Sequence, residues 1–95
     1  MQQEHREFLE QVLWWAKKLG AEYADCRLYP GSESEEIRVE NDRVVAVNSS
    51  KSAGFGVRVL VHGSWGFYAS PILEKEKIKE VARRAIASAK ANASL

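Results

Sequence analysis

The 95-residue sequence has little of what disulfides, metal sites and membrane spans require. Its single cysteine excludes an internal disulfide, so a reducing, cytoplasmic compartment is expected. Its two histidines, His5 and His62, stand far apart, and no zinc-binding helical pair occurs. No apolar run approaches the roughly 20 residues of a membrane helix, and the polar start shows no signal-peptide pattern. We therefore expect neither a metal site nor a membrane partner in this chain.

An excess of charge of one sign is lacking as well. The 14 Lys and Arg residues stand against 13 Asp and Glu residues, a formal net charge of +1, so bulk charge selects no partner. No G-x-S-x-G nucleophile motif occurs, and residues 54–56 form only a lone G-x-G. Glu35 and Glu36 are adjacent, and neighbouring strand residues face opposite ways, so they cannot share a proton. The sequence thus offers no catalytic residue.

What the sequence does contain is a helix, five strands and a second helix. Apolar residues at three- and four-residue steps predict an amphipathic helix over 3–19, ended by Gly20. Alternating polarity predicts five strands, over residues 23–29, 36–40, 43–47, 55–61 and 64–69. Two-residue turns are expected at 41–42 and at 62–63. Hairpin connections of this kind predict an antiparallel meander with free edges.

The second helix follows Ser70 and Pro71, which are predicted to be its N-cap and first-turn proline. Its apolar stripe runs from Ile78 to Ala89, and residues 91–95 are expected to fray. Both helices need the same apolar sheet face to bury their stripes. The sequence therefore predicts one domain over residues 1–95, a two-layer α+β fold with one sheet face left open.

The open face is the candidate functional surface. By alternation it is expected to carry Tyr23, Asp25, Arg27, Tyr29, Arg38, Arg58, Leu60 and Tyr68. Trp65 and Phe67 are expected to face the helices instead, beside Phe55. Aromatic and arginine side chains on a sheet can stack single-stranded nucleic acid, but Asp25, Glu36 and Glu40 cancel most of the positive charge. Docking of polypeptide is therefore favoured, with five candidate contacts: Tyr23, Asp25, Arg27, Arg58 and Tyr68.

Three segments carry a resemblance to a known family. Residues 20–27 read GAEYADCR, residues 41–44 read NDRV, and residues 54–67 read GFGVRVLVHGSWGF. Together they resemble the N-terminal domain of the TldD/PmbA metallopeptidases, also called modulators of DNA gyrase. The likeness covers nearly the whole chain, and the last segment is the most specific. Asp42 stands where the family hairpin normally has glycine.

The resemblance implies a peptidase domain without its catalytic half. The zinc-binding H-E-x-x-x-H helix of the family lies in the part that follows this domain, and no such motif occurs here. It implies that the 95 residues are a fragment, inactive alone, that helps form the cleft admitting unfolded peptides. The implied partners are unfolded peptide, the zinc-containing catalytic domain, or a subunit of a homo- or hetero-oligomer. A free-standing interaction module and a nucleic-acid-binding sheet remain the alternatives.

Overall fold

The computed structural model describes residues 3–29, 35–40, 43–48 and 53–94. The elements in chain order are α1 (Gln3–Lys18), β1 (Tyr23–Tyr29), β2 (Glu35–Glu40), β3 (Arg43–Asn48), β4 (Gly54–Val61), β5 (Ser64–Ser70), a 3-10 turn (Lys75–Lys77) and α2 (Ile78–Ala93). The strands form one antiparallel sheet, and both helices pack on the same face of it. The predicted two-layer α+β fold is confirmed.

The strand order is β3-β2-β1-β4-β5, which places β1 in the middle of the sheet. β3 and β4 follow one another in the chain yet lie on opposite sides of β2 and β1, so the predicted meander is wrong. Alternation of polar and apolar residues within a strand does not specify which strands pair with it. In the middle of the sheet β1 has a partner strand on each side, so its backbone groups are paired in both directions. Glu40 pairs with Arg43 across the second hairpin, and the predicted turn at 41–42 lies outside the described residues.

Helix α1 ends as its sequence predicts. Gly20 has a φ of +118°, a conformation that side chains oppose. The Ala21 amide donates to the Ala16 carbonyl at 3.0 Å and the Gly20 amide donates to Lys17 at 3.1 Å, the double closure of a Schellman motif. Neither helix, within the described part of the chain, has the length and apolar character to cross a membrane.

The core lies between the helices and the sheet. Every second residue of the central strands contributes to it: Ala24, Cys26 and Leu28 from β1, and Phe55, Val57, Val59 and Val61 from β4. Both helices contribute the apolar stripes that their sequences predict. Phe8 of α1 meets Phe55 edge to face, with ring centroids 4.8 Å apart. Full burial of each large side chain stabilises the fold by about 1.5–3 kcal/mol. Trp14 lies outside this core and is 55% exposed.

Helix α2 begins later and ends later than its sequence predicts. Ser70 is the last residue of β5, and its hydroxyl accepts a hydrogen bond from the Ile72 amide at 3.1 Å, so it closes a turn and not a helix. The helical residues begin with the 3-10 turn at Lys75. The expected fraying from residue 91 is also wrong, because α2 continues to Ala93 and the Asn92 side chain donates to the Trp65 carbonyl at 2.8 Å.

A two-residue turn determines which face each residue of β5 occupies. His62 and Gly63 have φ values of 51° and 76°, the left-handed pair that a tight hairpin turn of this type requires. Val61 therefore pairs with Ser64. Because opposite residues share a face, Gly66 and Tyr68 lie on the helix side opposite Val59 and Val57.

The predicted placement of Trp65, Phe67 and Tyr68 is therefore wrong. Trp65 and Phe67 lie on the open face, 47% and 59% exposed, and Tyr68 lies on the helix side. The physical reason is the closeness of α2 to β5. A methyl group on Gly66 would overlap the Ala85 carbonyl oxygen and lie 2.8 Å from the Ala89 Cα. No large side chain fits under the helix there.

Candidate functional site

The sheet face that carries neither helix is the candidate site, and we call it the open face. Four strands place side chains on it through one continuous register: Arg38 and Glu40 from β2, Tyr23, Asp25 and Arg27 from β1, Arg58 and Leu60 from β4, and Trp65 and Phe67 from β5. Antiparallel pairing sets opposite residues close together, so Asp25 lies directly across from Arg58. Three of these strands, β2, β1 and β4, have a partner strand on each side, and β5 lies at the edge of the sheet.

An ion pair between a buried carboxylate and a half-exposed arginine lies at the centre of the open face. The Asp25 carboxylate is only 3% exposed. Its Oδ2 atom accepts hydrogen bonds from Arg58 Nη2 at 2.6 Å, from Arg58 Nε at 3.2 Å and from the Tyr23 hydroxyl at 3.1 Å. A carboxylate with so little access to water is tolerated because these donors replace its hydration. Asp25 therefore orients Arg58 and Tyr23 on the surface.

Trp65 completes this arrangement. The Arg58 guanidinium lies over the Trp65 indole, with its central carbon 4.6 Å from the ring centroid. The Tyr23 ring meets the same indole edge to face, with centroids 5.9 Å apart. We call Tyr23, Asp25, Arg58 and Trp65 the Asp25 cluster. Each member contacts another, so the exposed Trp65 ring is held in one orientation before a partner binds. Binding then costs less side-chain entropy.

Electrostatics keep Tyr23 and Arg58 each in one protonation state at neutral pH. The hydrogen bonds to Asp25 raise the pKa of Arg58 above its already high ordinary value. Burial, followed by the neighbouring Asp25 carboxylate, raises the pKa of the Tyr23 hydroxyl. Tyr23 thus stays a neutral donor and Arg58 stays charged. A neutral hydroxyl and a charged guanidinium that do not titrate near pH 7 suit binding and orientation.

Beside the Asp25 cluster lies a hollow of about 180 Å³. It exists because Gly56 has no side chain, and the Phe67 ring covers that position, 3.1 Å from where a methyl group would lie. Its lining combines charge and an aromatic ring: Asp25, Arg27, Gly56, Arg58 and Phe67. An exposed aromatic pair flanking a polar hollow is typical of a protein-binding surface.

The charge of the open face does not favour nucleic acid. Arg58 is paired with Asp25, and Arg38 is paired with Glu40 at 2.9 Å. Each of these two arginines is therefore matched by a carboxylate, whereas a phosphate-binding surface carries a net basic footprint. The geometry supports contact with polypeptide.

The structure brings together four of the five predicted contact residues. Tyr23, Asp25, Arg27 and Arg58 share the open face, whereas Tyr68 lies on the helix side beside Arg84. Trp65 and Phe67 were missed. The signal that could have found them is the two-residue turn, because pairing of residue 61 with residue 64 sets the facing of all of β5.

Neither Cys26 nor a cluster of metal ligands offers catalytic chemistry within the described residues. Cys26 is buried, its thiol donates to the Leu9 carbonyl at 3.5 Å, and burial raises the pKa of the thiol far above its ordinary value. A protonated, buried thiol is not a nucleophile. Within residues 3–29, 35–40, 43–48 and 53–94, no group of three His, Cys, Asp or Glu residues could hold a metal ion.

Comparison with known proteins gives a consistent match. Residues 28–89 match the family described as PmbA/TldA metallopeptidase domain 1. A metalloprotease of Methanocaldococcus jannaschii is 35% identical over 69 residues, which cover 73% of this chain and 15% of that protein. A metalloprotease of Methanothermobacter thermautotrophicus is 37% identical over 65 residues, 68% of this chain and 14% of that protein. The chain therefore spans at most 15% of the length of these curated relatives. No solved structure matches it significantly.

Proposed function

The chain belongs to the PmbA/TldD metallopeptidase family, as the first domain of that family, and from this premise we propose that it is a non-catalytic domain whose open face meets polypeptide. In the whole enzyme this face would form one wall of the cleft that unfolded peptides enter. The relatives are named metalloproteases, and more than four fifths of each lies outside the matched segment. Peptide cleavage would belong to that remaining part.

The observation that carries the proposal is the exposure of Trp65 and Phe67 beside an organised ion pair. Another surface that covers these large aromatic side chains removes apolar area from water, which is favourable, so their exposure indicates a binding surface. The Asp25 cluster fixes the Trp65 ring in advance, which lowers the entropy lost on binding. Such a surface recognises polypeptide with little dependence on its sequence.

Zinc would be held elsewhere in the enzyme. The residues of this chain do not fit a zinc site, because the described part contains no group of three ligands and its only cysteine is buried as a thiol. We expect no stoichiometric zinc in the purified chain and no peptide turnover by it. Elemental analysis together with a peptide-cleavage assay tests this, and one tightly held zinc per chain would contradict it.

Amide chemical-shift mapping of the 95-residue chain tests the docking surface. An unstructured peptide of mixed sequence is expected to shift the amides around Trp65, Arg58 and Tyr23, with a dissociation constant in the micromolar range or weaker because one wall of the cleft is absent. Trp65→Ser should abolish these shifts. Trp14→Ser is the matched control, since Trp14 is equally exposed but lies on α1.

Two results would overturn the proposal. The first is peptide-induced shifts confined to surfaces other than the open face. The second is a set of salt-sensitive shifts at Tyr23 and Arg58 from a single-stranded oligonucleotide, with none from peptide, which would favour the nucleic-acid alternative.

A further inference from the structure

The outer edge of β5 presents unpaired backbone groups. Val61 and Ser64 close the two-residue turn as a hydrogen-bonded pair, so the pairing alternates along the hairpin. The amides and carbonyls of Trp65, Phe67 and Ala69 therefore point away from β4. The Asn92 side chain confirms this direction, because it reaches the Trp65 carbonyl from α2. Within the described sheet, β5 is an edge strand.

Helix α2 forms a wall beside this edge. Together they enclose an open concavity of about 540 Å³, which we call the β5–α2 groove, lined by Phe67, Tyr68, Arg83, Arg84, Ala87 and Ser88. The Arg84 guanidinium lies 5.4 Å from the centroid of the Tyr68 ring. Glu80 accepts hydrogen bonds from both arginines, one of them from Arg83 Nη2 at 2.9 Å. Two cations share one carboxylate, so the wall remains basic.

We propose that the β5–α2 groove binds an acidic, extended polypeptide segment as an added strand. The segment pairs with the free backbone groups of Phe67 and Ala69, and its carboxylates lie against Arg83 and Arg84. Every second side chain of an added strand faces the helix side, which places acidic residues at alternate positions within reach of these arginines. This site lies at the edge of the sheet and shares Phe67 with the open face, and the inference goes beyond the docking function proposed above.

The charge of α2 selects this occupant over a second copy of the chain. Edge-to-edge pairing of two β5 strands would bring two α2 helices side by side, each with Arg83 and Arg84 facing the other. Like charges at that distance oppose association, whereas an acidic segment neutralises them. Asn92 already occupies the Trp65 carbonyl, so the added strand is confined to the part of β5 beyond that residue.

The test uses three unstructured peptides and the 95-residue chain. The first peptide alternates Thr and Glu, the second replaces each Glu by Gln, and the third is the acidic peptide N-methylated at alternate amides. The acidic peptide is expected to shift the amides of Phe67, Ala69 and residues 83–88 and to protect the Phe67 and Ala69 amides from exchange. Its affinity should exceed that of the Gln peptide about tenfold at low salt, because the Gln peptide lacks the carboxylates that pair with the two arginines.

Variants separate this groove from the rest of the surface. Arg83→Gln with Arg84→Gln is expected to weaken the acidic peptide about tenfold. Lys17→Gln with Lys18→Gln removes the same charge from α1 and should leave the affinity unchanged within twofold. Arg83 and Arg84 are exposed, so the fold should persist, and the dispersion of the amide spectrum checks this. Trp65→Ser, which disrupts the open face, should leave acidic-peptide binding in place, so the two proposals fail independently.

Three results would overturn the inference. If the Gln peptide bound as tightly as the acidic peptide, the arginines would not contribute to binding. If the N-methylated peptide bound as tightly as the acidic peptide, strand addition would be excluded. Concentration-dependent self-association that protects the Phe67 and Ala69 amides without peptide would assign the edge to a second copy.

Discussion

Arg58 donates two hydrogen bonds to a single oxygen of Asp25, from Nη2 at 2.6 Å and from Nε at 3.2 Å. The two residues are direct partners in the β1–β4 pairing. The Asp25 side chain is buried, whereas nearly half of Arg58 is exposed, so the pair connects the interior of the sheet with the open face. The same contact both satisfies a buried charge and holds the guanidinium over Trp65.

Arg58→Ala is expected to lower the free energy of unfolding by about 1–3 kcal/mol, because it leaves the Asp25 carboxylate without its main donor. The value lies below that of a fully buried pair, since solvent screens the exposed guanidinium. Asp25→Ala with Arg58→Ala should lose less than the sum of the single losses, with a coupling of about 1 kcal/mol or more. Urea unfolding of the four proteins measures this, and strictly additive losses would contradict it.

Gly66→Ala is expected to destabilise the protein by about 3 kcal/mol or more, because the added methyl group would overlap the backbone of α2 at Ala85 and Ala89. Gly63→Ala is the control. Nothing lies near a methyl group there, so only the left-handed backbone opposes the change, at about 1 kcal/mol. Thermal unfolding of both variants gives the comparison, and equal losses would show that α2 can move away from β5.

Phe55→Ala is expected to cost about 3–5 kcal/mol and Trp65→Ala about 1 kcal/mol. Phe55 is enclosed between α1 and the sheet, whereas Trp65 is half exposed and its ring meets Tyr23 and Arg58 on the open face. If Trp65 faced the helices, Trp65→Ala would lose at least as much stability as Phe55→Ala. Urea melts of the two variants decide between the registers, and a larger loss for Trp65→Ala would restore the sequence-based assignment.

Cys26 is expected to make stability fall at alkaline pH. Burial raises the pKa of its thiol in the folded protein. The contribution of the protonated thiol to the free energy of unfolding is therefore complete below the unfolded thiol pKa near 8.5, and it declines as the pH rises above that value. The loss between pH 8 and pH 10 should approach about 2 kcal/mol and be absent in Cys26→Ala. Urea unfolding at several pH values measures it. The native thiol should also resist alkylation at pH 8 until denaturant is added, and rapid labelling would show that it is accessible.

Local patterns in the sequence were enough for most elements and for part of the site. The three- and four-residue steps of α1 and α2 and the alternation of β1 and β4 each reflect burial on one side, which a single element displays by itself. That alternation correctly placed Tyr23, Asp25, Arg27 and Arg58 on one face. The segment over 54–67 likewise contained enough of the family pattern to indicate the metallopeptidase domain.

The order of the strands was decided only by the tertiary structure, and the facing of β5 could not be read from the polarity of its residues. In β5 every residue from Trp65 to Tyr68 except Gly66 is aromatic, so polarity does not distinguish the two faces. Helix α2 distinguishes them, because it approaches so closely that only glycine fits beneath Ala85 and Ala89. That contact turns Trp65 and Phe67 outward. The sequence by itself determined which segments form strands and helices and which side chains β1 and β4 give to the open face, and the close packing of α2 on β5 accounts for the addition of Trp65 and Phe67.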